Sequence, residues 1–149
     1  MFRLAGIYGP GRSALDALRQ GRARRIVRPG QLFSRIHVED IVAVLSASME
    51  KPNPGAVYNL ADDEAAAPEA VIDFAAGLLG QAPPPSEAFE TADMSPMARS
   101  FYADSKRVSN RRIKEELGVR LAYPTYREGL RALREEMVHH GDTEDTETE

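Results

Sequence analysis

The sequence predicts an α/β domain. Short apolar runs that suit buried strands alternate along the chain with segments whose apolar residues recur at helical spacing, and turn residues separate the two kinds of segment. The clearest strands are Phe2 to Ile7 and Ala56 to Leu60, and the clearest helices begin near Glu39 and Glu69. Strands that alternate with helices are typical of α/β folds.

The first half of the chain is predicted to contain short extended segments and two helices. Ser13 can cap the first helix and Gly21 can end it. Acidic residues at Glu39 and Asp40 favour the start of the second helix, which Pro52 must end. In order, the predicted elements are a strand over 2–7, a helix over 13–20, a strand over 23–27, an extended segment over 32–38 and a helix over 39–49.

The second half of the chain is also predicted to contain strands and helices, and it ends in an acidic tail. Pro68 favours the start of a helix that Gly80 ends. Residues 86–100 show no clear period, so they are predicted to form a loop with one short strand at 88–89. The remaining predicted elements are a strand over 56–60, the helix over 69–79, a helix from Asp104 or Ser105 to Leu117, a helix over 125–140 and a disordered tail over 141–149.

Composition excludes several classes of protein. The 149 residues include no cysteine, so neither a disulfide framework nor a cysteine zinc site can form. The three histidines include no helical pair at metal-ligand spacing. No apolar run approaches the length of a membrane span and no signal peptide is evident, so a cytoplasmic location is expected.

The charge is unevenly distributed. The tail carries five acidic residues, whereas residues 1–50 hold eight arginines and four acids. Five of those arginines lie in fourteen positions: Arg22, Arg24, Arg25, Arg28 and Arg35. Such a cluster suits a phosphate or carboxylate ligand, although a charge run can also form a solvated face. Aromatic residues do not alternate with these arginines, which disfavours nucleic acid as a partner.

Two short motifs look catalytic and are better explained otherwise. The stretch Gly6 to Gly11 follows a strand as a dinucleotide loop would, but Arg12 replaces the third glycine and Pro10 lacks an amide hydrogen. Tyr102 and Lys106 match the Tyr-x-x-x-Lys pair of short-chain dehydrogenases. That pattern specifies two residues only, and Asp104 between them is expected to cap a helix.

Four stretches taken in order resemble the C-terminal half of an extended short-chain dehydrogenase/reductase, of the NAD-dependent epimerase/dehydratase family. They are Arg3 to Arg12 (RLAGIYGPGR), Arg35 to Ile41 (RIHVEDI), Val57 to Leu60 (VYNL), and Ala103 to Lys106 (ADSK) with Glu116 to Gly118 (ELG). The resemblance implies the C-terminal part of a doubly wound, Rossmann-like NAD(P)-binding fold with its small substrate-binding region over 1–140. It also implies that the cofactor loop and the catalytic Tyr-x-x-x-Lys pair would precede Met1, so the chain is expected to be truncated.

The resemblance also implies site residues. Tyr8, Gly9 and Pro10 would lie near the nicotinamide of NAD or NADP, which the intact protein would bind and this chain alone would not bind tightly. The substrate side would be lined by Arg12, Arg35, His37 and Arg99, with no catalytic residue and no metal ligand in this chain. The residues themselves leave His37 open to a purely structural role, in which it orients a turn.

The sequence leaves three functions open. In the first, the chain is the substrate-binding half of an NAD(P)-dependent epimerase/dehydratase-like oxidoreductase, inactive alone, with a small anionic or sugar-like substrate. In the second, it is a non-catalytic binding or partner module that lost its cofactor half and self-associates through an exposed sheet edge. A third alternative, a small anion-binding domain, predicts stabilisation by phosphate that replacing Arg24 and Arg25 would remove.

Overall fold

A computed structural model gives the fold, and it describes residues 1–103 and 107–147. The elements alternate between short strands and helices, as the sequence predicts. In chain order they are β1 (Phe2–Leu4), β2 (Gly6–Tyr8), α1 (Ala14–Arg19), β3 (Arg25–Val27), β4 (Arg35–His37), α2 (Val38–Glu50), β5 (Tyr58–Leu60), α3 (Pro68–Leu79), β6 (Ser86–Ala88), α4 (Pro96–Ala103), α5 (Arg111–Glu115) and α6 (Tyr126–Glu147).

All three strand pairs are parallel. β1 pairs with β5, β2 with β4, and β3 with β6, and each strand has one neighbour among the described residues. Parallel strands require crossover connections, and α2 lies immediately before β5 in such a connection. The α/β class is therefore confirmed, and the chain contains parallel strands with helices packed on them.

Two apolar clusters hold these elements together. One lies between α1, α3 and α6, with Leu15, Ala75 and Leu130 at its centre. The other joins the strands to α2 and α5 through Ile36, Val44 and their neighbours. The first cluster supports the loop that follows β2 and the second supports β4, so both position the cleft described below.

Helix α4 was not predicted from the sequence. The Ser95 side chain accepts a hydrogen bond from the Ala98 amide at 3.1 Å, and Pro96 occupies the first helical position. A serine cap followed by proline is a standard signal for a helix start. The signal was present in residues 86–100, but the lack of apolar periodicity there concealed it.

The predicted helix over 105–117 is shorter in the structure, where α5 spans Arg111–Glu115. The proposed cap residues Asp104 and Ser105 lie outside the described residues. Residues 107–110 are not helical because tertiary hydrogen bonds hold them: the Val108 amide donates to Ser34 Oγ at 2.9 Å, and Asn110 Nδ2 donates to the Ala61 carbonyl at 3.1 Å.

Helix α6 extends beyond the predicted helix over 125–140, and the disorder expected for 141–149 stays a prediction. The structure continues the helix to Glu147. Gly141 does not end the helix, because a single glycine costs a helix only about 1 kcal/mol and no proline follows. Residues 148–149 lie outside the described part of the chain.

Candidate functional site

Arg35 lies at the centre of the main cleft. It is the first residue of β4, and its Nη1 donates to the carbonyls of Phe33 at 3.0 Å and Ala66 at 3.1 Å. No ion pair to Arg35 exists among the residues that the structure describes. Burial lowers its pKa below the ordinary arginine value, although an arginine stays charged. A half-buried guanidinium without a carboxylate partner is suited to bind an anion.

The cleft has two lobes that share Arg35, Pro68 and Tyr102. The larger lobe has a volume of about 770 Å³, and no acidic residue is among the described residues that line it. Its charged lining consists of Arg3, Arg35 and Arg107, of which Arg3 and Arg107 are exposed. Three arginines facing one space without a carboxylate create a positive potential in the lobe.

Aromatic rings form one wall of the larger lobe. Phe33 and Phe101 stack with their ring centroids 4.9 Å apart, and Tyr102 meets Phe33 edge-on at 6.0 Å. The Tyr102 carbonyl, near the end of α4, accepts hydrogen bonds from Arg28 and Gln31. These bonds fix α4 beside β4, so the helix that sequence reasoning missed supplies part of the cleft wall.

The smaller lobe has a volume of about 350 Å³ and lies beside the loop that follows β2. Its lining again includes no acidic residue among the described residues. The polar and charged side chains around it are Tyr8, Arg12, Ser13, Arg22, Arg24, Arg35, Tyr102 and Tyr126. Of the residues predicted from the sequence, Tyr8, Arg12 and Arg35 are therefore brought together here.

The loop after β2 is a tight turn. The Gly9 amide donates to the Arg12 carbonyl and the Arg12 amide donates to the Gly9 carbonyl, each at 3.0 Å. A Cβ on Gly9 would lie 2.6 Å from Cγ1 of Val38, so only glycine fits against α2 at this point. Pro10 lies inside the turn, and the roles of Gly9 and Pro10 in cofactor binding stay predictions.

Tyr8 is 8% exposed, and its hydroxyl has no hydrogen-bond partner among the described residues. The ring packs edge-on against His37 at 5.2 Å, and the hydroxyl lies against Gly129 of α6. Burial raises the pKa of Tyr8 well above the ordinary value, so the phenol stays neutral. Tyr8 forms a wall of the smaller lobe, and its role near a nicotinamide stays a prediction.

This contact gives a prediction for Gly129→Ala. A Cβ there would overlap the Tyr8 hydroxyl and lie 2.7 Å from Cε2 and Cζ of the ring, so we expect a loss of about 1–3 kcal/mol in the free energy of unfolding, measured in urea. The matched control is Gly77→Ala in α3, where a Cβ meets no atom within 4 Å. Alanine there should stabilise the helix by up to about 1 kcal/mol. Equal stabilisation by both substitutions would contradict the contact.

His37 has a structural role in the described fold. It is 1% exposed, and its Nδ1 accepts a hydrogen bond from the Glu39 amide at 3.0 Å as the N-cap of α2. Its ring stacks on Tyr123 at 4.1 Å. Burial lowers the pKa of His37, so the ring is neutral at physiological pH. It does not line either lobe, and contact with a substrate stays a prediction.

Arg99 and most of the arginine cluster are engaged in internal contacts. Arg99 donates to the carbonyls of Phe89 at 2.9 Å and Ala92 at 2.5 Å, and it lines neither lobe. Arg24 forms a bidentate ion pair with Glu87, and Arg25 pairs with Asp73. Arg24 and Arg25 therefore join β3 and the residue before it to neighbouring elements, and the anion contact predicted for Arg99 remains untested.

Asp62 was missed in the sequence and lies at the end of β5. Its amide donates to the Arg35 carbonyl at 2.6 Å, and its Oδ1 accepts from the Glu64 amide at 3.1 Å. Its Oδ2 is buried without a hydrogen-bond partner among the described residues. Burial is the largest cause that raises the pKa of Asp62, to about 7, and the nearby Arg35 partly opposes it.

Asp62 should make stability depend on pH. Because the pKa of Asp62 is raised on folding from 3.8 to about 7, its contribution to the free energy of unfolding is greatest below pH 3.8. That contribution is lost as the pH rises to about 7. Asn at this position keeps the acceptor for Glu64 and cannot ionise. We expect Asp62→Asn to raise Tm by a few degrees at about pH 8 and to lose that advantage towards pH 4. An equal change at both pH values in thermal melts would contradict this.

Comparisons with known proteins identify the fold. A functionally unknown conserved protein from Silicibacter pomeroyi is 62% identical over 91% of this chain, with a TM-score of 0.87. A putative NAD-dependent epimerase/dehydratase from Methylobacillus flagellatus is 26% identical over 91%, with a TM-score of 0.62. A human epimerase family protein, solved with NADPH, is 20% identical over 90%, with a TM-score of 0.73.

The chain spans about half the length of these structures: 48%, 46% and 47% of the respective chains. No family model matches the sequence, and no curated protein matches it. The resemblance to the C-terminal half of an extended short-chain dehydrogenase/reductase is thus confirmed as a likeness of fold. No helix in the described residues has both the length and the apolar composition needed to cross a membrane.

Proposed function

We propose that this chain, which has the fold of the C-terminal half of an NAD-dependent epimerase/dehydratase, is the substrate-binding half of such an oxidoreductase. By itself it is inactive, because the resemblance implies that the cofactor loop and the catalytic Tyr-x-x-x-Lys pair belong to the other half. The cofactor, NAD or NADP, is held mainly by the other half. The protein acts on a small anionic substrate in the cytoplasm.

The observation that carries this proposal is the cleft around Arg35. Its lining combines arginines with aromatic rings and contains no acid among the described residues. Among the residues that the structure describes, no carboxylate neutralises the Arg35 guanidinium by direct contact. The combination favours a ligand with a negatively charged group and a flat or apolar part.

Neighbouring structures support the ligand class. One structure with the same fold, 23% identical to this chain, was solved with UDP-glucuronic acid and NAD. Its ligand carries phosphates and a carboxylate, so it provides a suitable probe for an arginine-lined cleft.

A binding titration tests the proposal. We expect calorimetry to detect binding of UDP-glucuronic acid to the 149-residue chain, and inorganic pyrophosphate to compete with it. Glucose, which carries no charge, should not bind measurably. Equal binding of glucose, or no binding of either anion at low salt, would contradict an anion-binding cleft.

A further inference from the structure

One nitrogen of the Arg35 guanidinium fixes this group to the protein. Nη1 donates hydrogen bonds to the carbonyls of Phe33 at 3.0 Å and Ala66 at 3.1 Å. Phe33 and Ala66 are themselves paired, because the amide of each donates to the carbonyl of the other. Both acceptors therefore belong to ordered backbone. The guanidinium is held in its orientation before a ligand binds, which lowers the entropic cost of binding.

The edge of the guanidinium formed by Nε and Nη2 has no protein acceptor among the described residues. The hydrogen bonds that Arg35 donates there come from Nη1, and no ion pair involves it. In the described part of the chain, Nε and Nη2 are also not among the buried polar atoms that lack a partner, so they are accessible from the cleft. A guanidinium has five N–H donors, and those on Nε and Nη2 remain for a ligand.

The geometry of this edge selects the kind of group that binds it. Nε and Nη2 present parallel N–H donors in one plane, and these match the two oxygens of a carboxylate or a phosphate. Such bidentate, charge-assisted pairs are among the strongest hydrogen bonds in proteins. A lysine has the same charge at a single point and cannot form the pair. The Nε–Nη2 edge of Arg35 therefore favours a group with two oxygens on one atom.

The charge around Arg35 favours a carboxylate over a phosphate. The two lobes of the cleft share Arg35, Pro68 and Tyr102, and of these only Arg35 is charged. Asp62 is the acid that acts most strongly on Arg35, although it forms no ion pair with it. A group bound at this junction thus meets one positive charge that a nearby acid weakens. A carboxylate carries one negative charge, whereas a terminal phosphate carries about two at pH 7.

Phosphates are better accommodated elsewhere in the cleft. Arg3 and Arg107 line the larger lobe and are exposed, and no acid is among the described residues that line it. Removing a charged group from water is costly, and the cost rises with the charge. A phosphate at the exposed arginines stays partly hydrated, whereas at the half-buried Arg35 it would lose more of its water. The carboxylate is the group that loses less by entering the junction.

We infer that the substrate carries a carboxylate, and that Arg35 binds both of its oxygens through Nε and Nη2 where the two lobes meet. This inference rests on the proposed function, which supplies the anionic substrate and its cleft. Arg35 thereby determines specificity, because an uncharged group in place of the carboxylate leaves the two donors without a charged acceptor. Its role is to bind and orient the substrate.

Two nucleotide sugars that differ in one group test the inference. UDP-glucuronic acid has a carboxylate where UDP-glucose has a hydroxymethyl group, and their diphosphates are identical. Calorimetric titration gives the Kd of each for the parent 149-residue chain. We expect UDP-glucuronic acid to bind at least about tenfold more tightly, the gain expected from a hydrogen bond between charged groups. Equal affinities would overturn the inference.

Substitutions of Arg35 identify the residue responsible for the difference. Arg35→Lys keeps the charge and loses the paired donors, and Arg35→Met loses both. The ratio of the two affinities should fall to about threefold or less in the first variant and to about one in the second. The affinity for UDP-glucose should stay unchanged, which shows that the cleft is intact. Arg111→Lys, at an exposed arginine that lines neither lobe, is the control and should keep the parent ratio.

The outcomes separate this inference from the proposed function. If Arg35→Met weakens both nucleotide sugars equally, Arg35 holds a phosphate; the inference is then wrong and the proposed function stands. A parent-like ratio in Arg35→Lys would show that a point charge suffices, which contradicts bidentate binding. If neither nucleotide sugar binds the parent chain at low salt, the proposed function fails and the inference with it.

Discussion

Asp40→Ala should lower the free energy of unfolding by about 3–5 kcal/mol, one of the largest losses expected from a polar side chain of this fold. Asp40 is 1% exposed, and its two carboxylate oxygens accept hydrogen bonds from the Ala122 amide at 2.8 Å and the Tyr123 amide at 3.1 Å. Alanine would leave both amides without an acceptor. It would also release the segment that stacks Tyr123 on His37.

The measurement is the urea concentration at which half of the variant is unfolded. This midpoint should fall, while the slope of the unfolding free energy against urea concentration stays constant. Asp40→Asn keeps one acceptor and should give an intermediate loss. Glu115→Ala, which removes an exposed ion pair with Arg111 on α5, is the control and should have no measurable effect. If Asp40→Ala unfolds at the same urea concentration as the parent chain, Asp40 does not hold the 122–123 segment in place.

Arg35→Met should weaken the binding of UDP-glucuronic acid by roughly 10- to 100-fold, the loss expected when a charged hydrogen-bond donor to an anion is removed. The methionine side chain retains most of the apolar volume of arginine but has no charge. It also loses the bonds to Phe33 and Ala66, so the melting temperature of the variant must be measured beside the calorimetric titration.

Two further substitutions separate binding from folding. Arg107→Met removes an exposed arginine from the larger lobe and should weaken the same ligand with little change in stability. Arg111→Met removes an arginine that lies in neither lobe and should leave the affinity unchanged. If all three variants bind like the parent, the ligand does not occupy this cleft.

Local signals predicted much of the secondary structure. Ser13 accepts a hydrogen bond from the Asp16 amide and caps α1, and Gly80 ends α3 with φ of 70°. These features depend on residues close in the sequence, so they can be read from it. The length of α5 depends instead on bonds from Val108 and Asn110 to distant segments, which no local pattern reveals.

The candidate site was predicted less completely. The sequence identified Arg35 through its strand and the resemblance, and the structure places it at the centre of the cleft. The sequence alone offered no reason to prefer Arg35 to Arg24 or Arg25 as the anion-binding residue. The acids that neutralise Arg24 and Arg25 are 63 and 48 residues away in the chain. Asp62 was missed for the same reason: its burial beside Arg35 results from tertiary packing.

We propose that this chain binds the substrate and that binding of the nicotinamide cofactor requires a second half. The most direct measurement is a titration of NADPH and NAD into the 149-residue chain and into a fusion that places the remaining part of the Silicibacter pomeroyi protein before Met1. We expect no measurable cofactor binding to the chain alone and saturable binding of at least one cofactor to the fusion. Tight cofactor binding by the isolated chain, or none by a folded fusion, would contradict it.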